Sequence, residues 1–322
     1  MISRNTVFVL GAGAHAPYGF PIGDALLAKI LTLLAPDRAA SSSFSAFTKL
    51  VLDEYGTDIP LQSFVDFRVA LSRGGHTSID SFLATNATRP GFAEIGKLAI
   101  AYVLLPLDLQ RDFSRGSIAL DWMSYLFSNM LKGCHRSIDE FLTNNNLSFI
   151  TFNYDRTLEH FLCVRIKLTY HVSYEEAWGA AQRLPVVLVY GSLGEFDPRV
   201  IDRQPPTGIT PGAYKKAAEA IRLMYDDREE RSVDVKNIKL LLEAADCVCF
   251  LGFGFDVDNI SYLRLNELCQ PSKAVFATRY RVANGDWNRM KKSMLPTEIR
   301  SDFAGHIDWD SLGLLQQTQA IG

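Results

Sequence analysis

The 322-residue chain is predicted to be an α/β protein: a Rossmann-like, doubly wound parallel sheet with a large helical insertion after the first strand–helix unit. Three observations predict it. Short apolar runs alternate with segments of helical spacing, as parallel strands alternate with crossover helices. Four such runs end in glycine or polar residues: Gly11-Ala12-Gly13, Thr151-Phe152-Asn153-Tyr154-Asp155, Tyr190-Gly191-Ser192 and Gly252-Phe253-Gly254. Ligands of open α/β sheets bind at the carboxyl ends of the strands, so these ends point to one nucleotide pocket. Third, strand signals are few between residues 36 and 146.

Thr6–Leu10 is β-branched and apolar, a buried strand. After the glycine-rich segment, Asp24–Leu34 carries Leu26, Leu27, Ile30, Leu31 and Leu34 at helical spacing. Residues 40–46 read as a loop or helix start. Apolar residues then recur at three and four through Phe64–Leu71, Ile79–Leu83, Ile95–Leu107 and Trp122–Leu131, giving a helical module over 36–146 inserted in a single domain spanning 1–322. "SIDSFL" at 78–83 recurs as "SIDEFL" at 137–142. Their flanks differ, and Ser137 with Glu140 forms a capping box, so they are two similar helix starts rather than a repeat.

Strand pattern returns at Leu147–Phe152, followed by helices over Asp155–Ile166 and Ser173–Gln182. The nearly all-apolar Pro185–Tyr190 reads as a central parallel strand. A Pro- and Gly-rich loop covers Gly191–Gly212, then helices about 213–224 and 234–245. The chain closes on a strand from Cys247, a helix over Asp258–Leu268 and a strand over Ala274–Thr278.

Composition narrows the class. A net charge of -3 makes no electrostatic case for direct nucleic-acid binding. No stretch reaches the roughly 18 apolar residues of a membrane span; Leu98–Leu109 reads as a buried helix. Arg4, Val7–Leu10 and Ala14-His15-Ala16 imitate a signal peptide, but the run is shorter than the roughly 7–15 residues required. Cytoplasmic location is expected. The five cysteines, Cys134, Cys163, Cys247, Cys249 and Cys269, have no C-x-x-C spacing and suit neither a disulfide framework nor a zinc ribbon. They are expected to be reduced and mostly buried, and no metal site is expected.

Gly11-x-Gly13-x-x-Ala16 is a loose dinucleotide fingerprint. A dehydrogenase would next show a strand ending in an acid about 20 residues on, but that distance falls in helix. The longer string "GAGAHAPYGFP" resembles the sirtuin cofactor loop, with Gly11, Ala12, Gly13, Gly19 and Pro21 in register. "TFNYD" stands where sirtuins carry T-Q-N-I-D, matching at Thr151, Asn153 and Asp155. "YGS" (Tyr190, Gly191) stands where they carry H-G, and "GFGF" (Gly252, Gly254) where they carry G-T-S-L. The zinc ribbon of sirtuin deacylases is missing. The chain is therefore similar to the zinc-free, sirtuin-like proteins of bacterial anti-phage defence.

That resemblance implies hydrolysis of NAD at the nicotinamide–ribose bond, giving ADP-ribose and nicotinamide. It also implies a homo-oligomer and, in some relatives, a partner ATPase. The reaction passes through an oxocarbenium-like ribose, as in glycoside hydrolysis. Amides of Ala12–Ala14 suit the pyrophosphate. Asn153 can hold ribose, carboxamide or water, and Asp155 can hold nicotinamide or support Asn153; both could instead cap the helix that follows. Gly252 and Gly254 could admit the adenosine half or form a bulge. Asp256 and Asp258 could contact adenine or ribose, or cap a helix. Tyr190 replaces the sirtuin histidine, and tyrosine is a poor base near neutrality. His15 is the substitute candidate, with His171 in reserve. A second class stays open: a degenerate site that binds NAD or ADP-ribose within an assembly.

Overall fold

The computed structural model describes residues 1–35, 45–55, 59–110, 113, 121–134, 136–195, 209–223, 228–265, 273–280, 282, 284–294, 309–318 and 320–321. Five strands form one all-parallel sheet: β1 (Thr6–Leu10), β2 (Leu147–Thr151), β3 (Val186–Leu188), β4 (Cys247–Leu251) and β5 (Ala274–Ala277), in the order β3-β2-β1-β4-β5. The chain builds outward from β1 in one direction, then returns to β1's other side with β4. The topological switch point therefore lies between β1 and β4. Every residue of β1, β2 and β4 is buried, as strands covered on both faces must be. The register sets Leu10 level with Thr151 and Leu251, and Thr151 level with Leu188. One carboxyl edge is thus shared by Gly11, Phe152, Val189 and Gly252.

The glycine-rich segment after β1 is helical rather than a loop. It forms a short turn α1 (Ala12–His15), a 3-10 turn over Ala16–Tyr18 that ends on left-handed Gly19 (φ 84°), and then α2 (Gly23–Leu33). Between α2 and β2 the described chain lies in α3 (Ala46–Tyr55), α4 (Leu61–Arg73), α5 (Ile79–Thr85), α6 (Phe92–Leu109), α7 (Trp122–Leu131) and α8 (Ile138–Thr143). Their apolar faces join the core of the sheet in one continuous cluster. Residues 40–44, expected as a loop or helix start, lie outside the described residues. So do most of the expected 191–212 loop, the end of the 258–268 helix, and Cys269.

The remaining elements are α9 (Thr157–Tyr170), α10 (Tyr174–Ala181), α11 (Pro211–Ala220), α12 (Arg228–Ala244), α13 (Val257–Leu263) and the helices Asn284–Met294 and Ser311–Gln317. Helix starts follow local capping. Ser173 and Glu176 form a complete capping box at α10. Ser137 caps α8, but the Glu140 carboxylate accepts the Arg136 amide instead of closing the box. α9 begins at Thr157, later than its pattern suggests, because Asp155 accepts the Thr157 amide at 3.1 Å.

The expectation that Pro185–Tyr190 is a central strand is corrected. β3 has three residues and stands at the sheet edge. An unbroken apolar run reports cover on both faces of a strand, not neighbours on both sides. The open side of this edge is blunted by Arg222, whose guanidinium donates to the Leu188 carbonyl at 2.5 Å and whose amide donates to Tyr190 O at 3.0 Å.

Candidate functional site

The carboxyl edge brings His15, Asn153 and Asp155 together. His15 ends α1, while Asn153 and Asp155 occupy the turn between β2 and α9. His15 Nδ1 lies 2.7 Å from Asp155 Oδ1, with both side chains buried. The Asn153 amide donates from Nδ2 to the Gly11 carbonyl at 3.1 Å and sits 3.1 Å from His15 Nδ1. The opposite ends of both side chains, His15 Nε2 and Asn153 Oδ1, are buried without a protein hydrogen-bond partner. Buried polar atoms are nearly always paired, so this pair of orphans is what a polar ligand or water would satisfy.

The helical insertion holds the histidine. Trp122 of α7 donates from its indole to Ala14 O at 2.7 Å and lies nearly parallel to the His15 ring, at 11° and 6.3 Å between centroids. Tyr18 and Phe20 close other sides of the ring, and the Tyr18 hydroxyl is fixed by Asp121 at 2.6 Å. Sequence reasoning missed Trp122 and Asp121, because nothing local links a distant helix to residues 14–18.

Two further carboxylates approach from the insertion. Asp108, at the end of α6, accepts the Arg156 amide at 3.1 Å. Burial, reinforced by the charge of Asp155, raises its pKa to about 7. Asp80, in the first turn of α5, accepts from the Tyr154 hydroxyl. Burial raises Asp80 to about 6, with the Asp256 charge adding to the rise. Asp155 behaves oppositely. Burial pushes its carboxyl up, but the His15 charge and hydrogen bond, with the bond from the Thr157 amide, more than reverse this and hold it below the usual carboxylate value. Arg156 is turned away, onto Glu159 and the Gly194 carbonyl at 2.6 Å.

The glycines have structural employment. A Cβ on Gly11 or Gly13 would fall 2.7 or 2.8 Å from Gly252 O, and one on Gly252 (φ 57°) would fall 1.8 Å from Ala14 N. The turns after β1 and β4 are thus packed backbone against backbone at the switch point. The amides of Gly11, Gly13 and Ala14 donate to Leu251 O, Gly252 O and Gly11 O at 3.0, 2.9 and 2.9 Å. Of the expected pyrophosphate donors, those of Gly13 and Ala14 are therefore already engaged. Gly191 (φ 67°) is needed where its turn meets Ala220. Gly254 is different: a Cβ there meets nothing within 4 Å.

The other expected positions are spread along the same edge. Thr151 Oγ1 accepts the Asn153 amide at 3.1 Å, and Gly19 and Pro21 frame the turn into α2. Asp256 caps α13 by accepting the Asp258 amide at 2.9 Å. The Tyr190 hydroxyl donates to Asn259 Oδ1 rather than joining the His15 group. His171 is an exposed, left-handed residue ending α9. Cys134, Cys163, Cys247 and Cys249 are free and buried, and burial raises the thiols of Cys163 and Cys247 to about 12 and about 11. Among the described residues no helix is long and apolar enough to cross a membrane. No protein-family model matches the chain, and no curated protein does.

Proposed function

We propose that the chain is an NAD glycohydrolase, releasing nicotinamide and ADP-ribose, and that it serves as an NAD-depleting effector of anti-phage defence in the cytoplasm. One observation carries the chemistry: a buried His15–Asp155 pair beside Asn153, at the carboxyl edge of a parallel sheet, with His15 Nε2 and Asn153 Oδ1 unpartnered. The defence role rests on the resemblance of "GAGAHAPYGFP", "TFNYD" and "GFGF" to sirtuin-like sequences, as do a homo-oligomer and a partner ATPase.

The roles follow from the residues. Asp155 stays ionised and holds the His15 Nδ1 proton, which leaves Nε2 as the acceptor. Asn153 orients a ribose hydroxyl or the attacking water through Oδ1. Water adds to the anomeric carbon as the bond to nicotinamide breaks. Nicotinamide leaves with the bonding electrons, and the water proton passes to His15 Nε2. Tyr190 is not the base in this scheme. Exclusion of bulk water falls to Trp122, Tyr18 and Phe20 around the imidazole.

A second reading is favoured by a specific observation. The amides of Gly13 and Ala14 and the Tyr190 hydroxyl are engaged within the chain, as suits a degenerate subunit that binds NAD or ADP-ribose without cleaving it. Incubating the purified protein with NAD and assaying nicotinamide tests the two: release supports the hydrolase, and ADP-ribose binding without release supports the subunit.

A further inference from the structure

Tyr190 follows β3, and Asn259 lies in α13 beyond β4. In the sheet these two are separated by β2 and β1. The hydrogen bond from the Tyr190 hydroxyl to Asn259 Oδ1 therefore spans the carboxyl edge over β2 and β1, where ligands of such sheets lie. Aromatic rings fill the same span. Phe152, after β2, meets Phe253, after β4, at 5.1 Å across the end of β1. The Tyr190 ring stands edge-on to Phe152 at 5.7 Å and lies stacked with Tyr154 at 5.9 Å. Phe152, Tyr190 and Phe253 are 7%, 3% and 5% exposed. A flat heteroaromatic ring entering this edge competes for the space these side chains occupy.

We propose that the Tyr190–Asn259 pair is a latch that closes the crevice, and that a nucleotide enters only after Tyr190 releases Asn259. Asn259 sits on one short element, and Tyr190 in the turn after another. β3 is a three-residue edge strand and α13 has seven residues. The link from β4 to α13 contains Gly254, with open space around its Cβ position, and Phe255, held at φ 55°. A left-handed non-glycine residue persists only while its surroundings enforce it, so this link is where α13 can swing. Releasing the latch frees the Tyr190 ring to leave Phe152 and Tyr154, and their faces become available to a base. The inference shares its crevice with the proposed hydrolase, but its test does not need NAD.

The test removes the acceptor and leaves the tyrosine intact. Tetranitromethane nitration of Tyr190, read by peptide mass spectrometry against the exposed Tyr280, reports ring access directly. Asn259→Ala is expected to speed Tyr190 nitration about fivefold, the factor of one neutral hydrogen bond. Asn259→Asp, which keeps an acceptor, should nitrate as slowly as the parent. ADP-ribose affinity should rise by a similar factor in Asn259→Ala, since a latched crevice lowers apparent affinity by the open fraction. Unchanged nitration in Asn259→Ala, equal acceleration in Asn259→Asp, or a failure of Asn259→Ala to fold would each overturn the latch. So would equal, measurable ADP-ribose affinity in parent and Asn259→Ala. Fast nitration in Asn259→Ala with no nicotinamide release from either protein would sink the hydrolase reading and leave the latch standing.

Discussion

His15 Nδ1 and Asp155 Oδ1 stand 2.7 Å apart inside the protein, joining the first turn after β1 to the turn after β2. Such a pair is expensive to break singly, because the survivor is left buried without its partner. Asp155→Asn, which keeps an acceptor for His15 Nδ1 but removes the charge, is expected to destabilise the fold by roughly 1.5–3 kcal/mol at pH 7. The pH dependence has a definite sign. The folded pKa of Asp155 lies below its unfolded value, so its contribution is complete above about pH 4 and is lost as pH falls through the folded pKa. Urea denaturation at pH 7 and pH 3.5 should show the gap between parent and variant narrowing in acid. A gap independent of pH would mean that the carboxylate charge is irrelevant.

Asp108 runs the other way. Its pKa of about 7 means the folded chain binds a proton that the unfolded chain has released above about pH 4. Stability therefore falls as pH rises between those values. Asp108→Asn keeps an acceptor for the Arg156 amide and removes the charge facing Asp155. It should be neutral near pH 4 and stabilising by about 1–2 kcal/mol at pH 8, after allowance for partial exposure. Thermal melts across that range check it, and destabilisation at pH 8 would show the ionised carboxylate to be required.

The glycines separate structure from ligand. Gly13→Ala and Gly252→Ala should each lower stability by at least about 2 kcal/mol, since either methyl drives into the facing backbone turn. Gly252→Ala should be the worse, having a positive φ as well. Gly254→Ala should melt with the parent, because its Cβ direction is open. Chemical denaturation of the three variants decides this. If Gly254→Ala instead loses ADP-ribose affinity while remaining fully folded, that glycine serves the ligand.

The sheet was legible because strand signals here are local. Thr6–Leu10 and the run from Cys247 announce themselves by unbroken apolar residues ending at glycine. The site was half legible. Asn153 and Asp155 stand out as polar residues directly after a buried strand, and the imitation of a cofactor loop drew attention to His15. What the sequence hid is long-range. Asp80 reads as an ordinary first-turn acid behind the cap Ser78, which does accept the Ser81 amide at 3.1 Å; its bond to Tyr154 depends on where the insertion packs. The glycine motif fits a phosphate loop and a close backbone crossing equally well, and only the position of Gly252 separates the two.

Lys273 is a similar hidden contact, with consequences for stability alone. Its buried ammonium donates to the carbonyls of Leu242, Glu243 and Ala245 at 2.9, 2.7 and 2.7 Å, capping the end of α12 from the start of β5. A cation there satisfies orphan carbonyls and the negative end of the helix dipole together. Lys273→Met keeps the stem and strands the carbonyls, at an expected loss of about 2–4 kcal/mol. Equal urea midpoints for parent and variant would show that water replaces the ammonium without penalty.

The catalytic assignment is decided by four substitutions taken together. In the proposed reaction His15 Nε2 takes the water proton and Asn153 Oδ1 orients water or ribose, so His15→Gln and Asn153→Ala should each lose at least about 100-fold in nicotinamide release. Tyr190 has a different duty. Its hydroxyl is bonded to Asn259, and a neutral phenol barely abstracts a proton. Tyr190→Phe should therefore retain or raise the rate, with a lower KM as the crevice opens. Tyr190→His adds a second group of suitable basicity, but with His15 in place it should change little. Single-turnover release of nicotinamide, together with ADP-ribose affinity, separates chemistry from binding. A Tyr190→Phe protein as inactive as Asn153→Ala, with affinity intact, would return the tyrosine to the chemistry and displace His15. An inert parent that Tyr190→His makes active would establish the natural chain as the binding subunit.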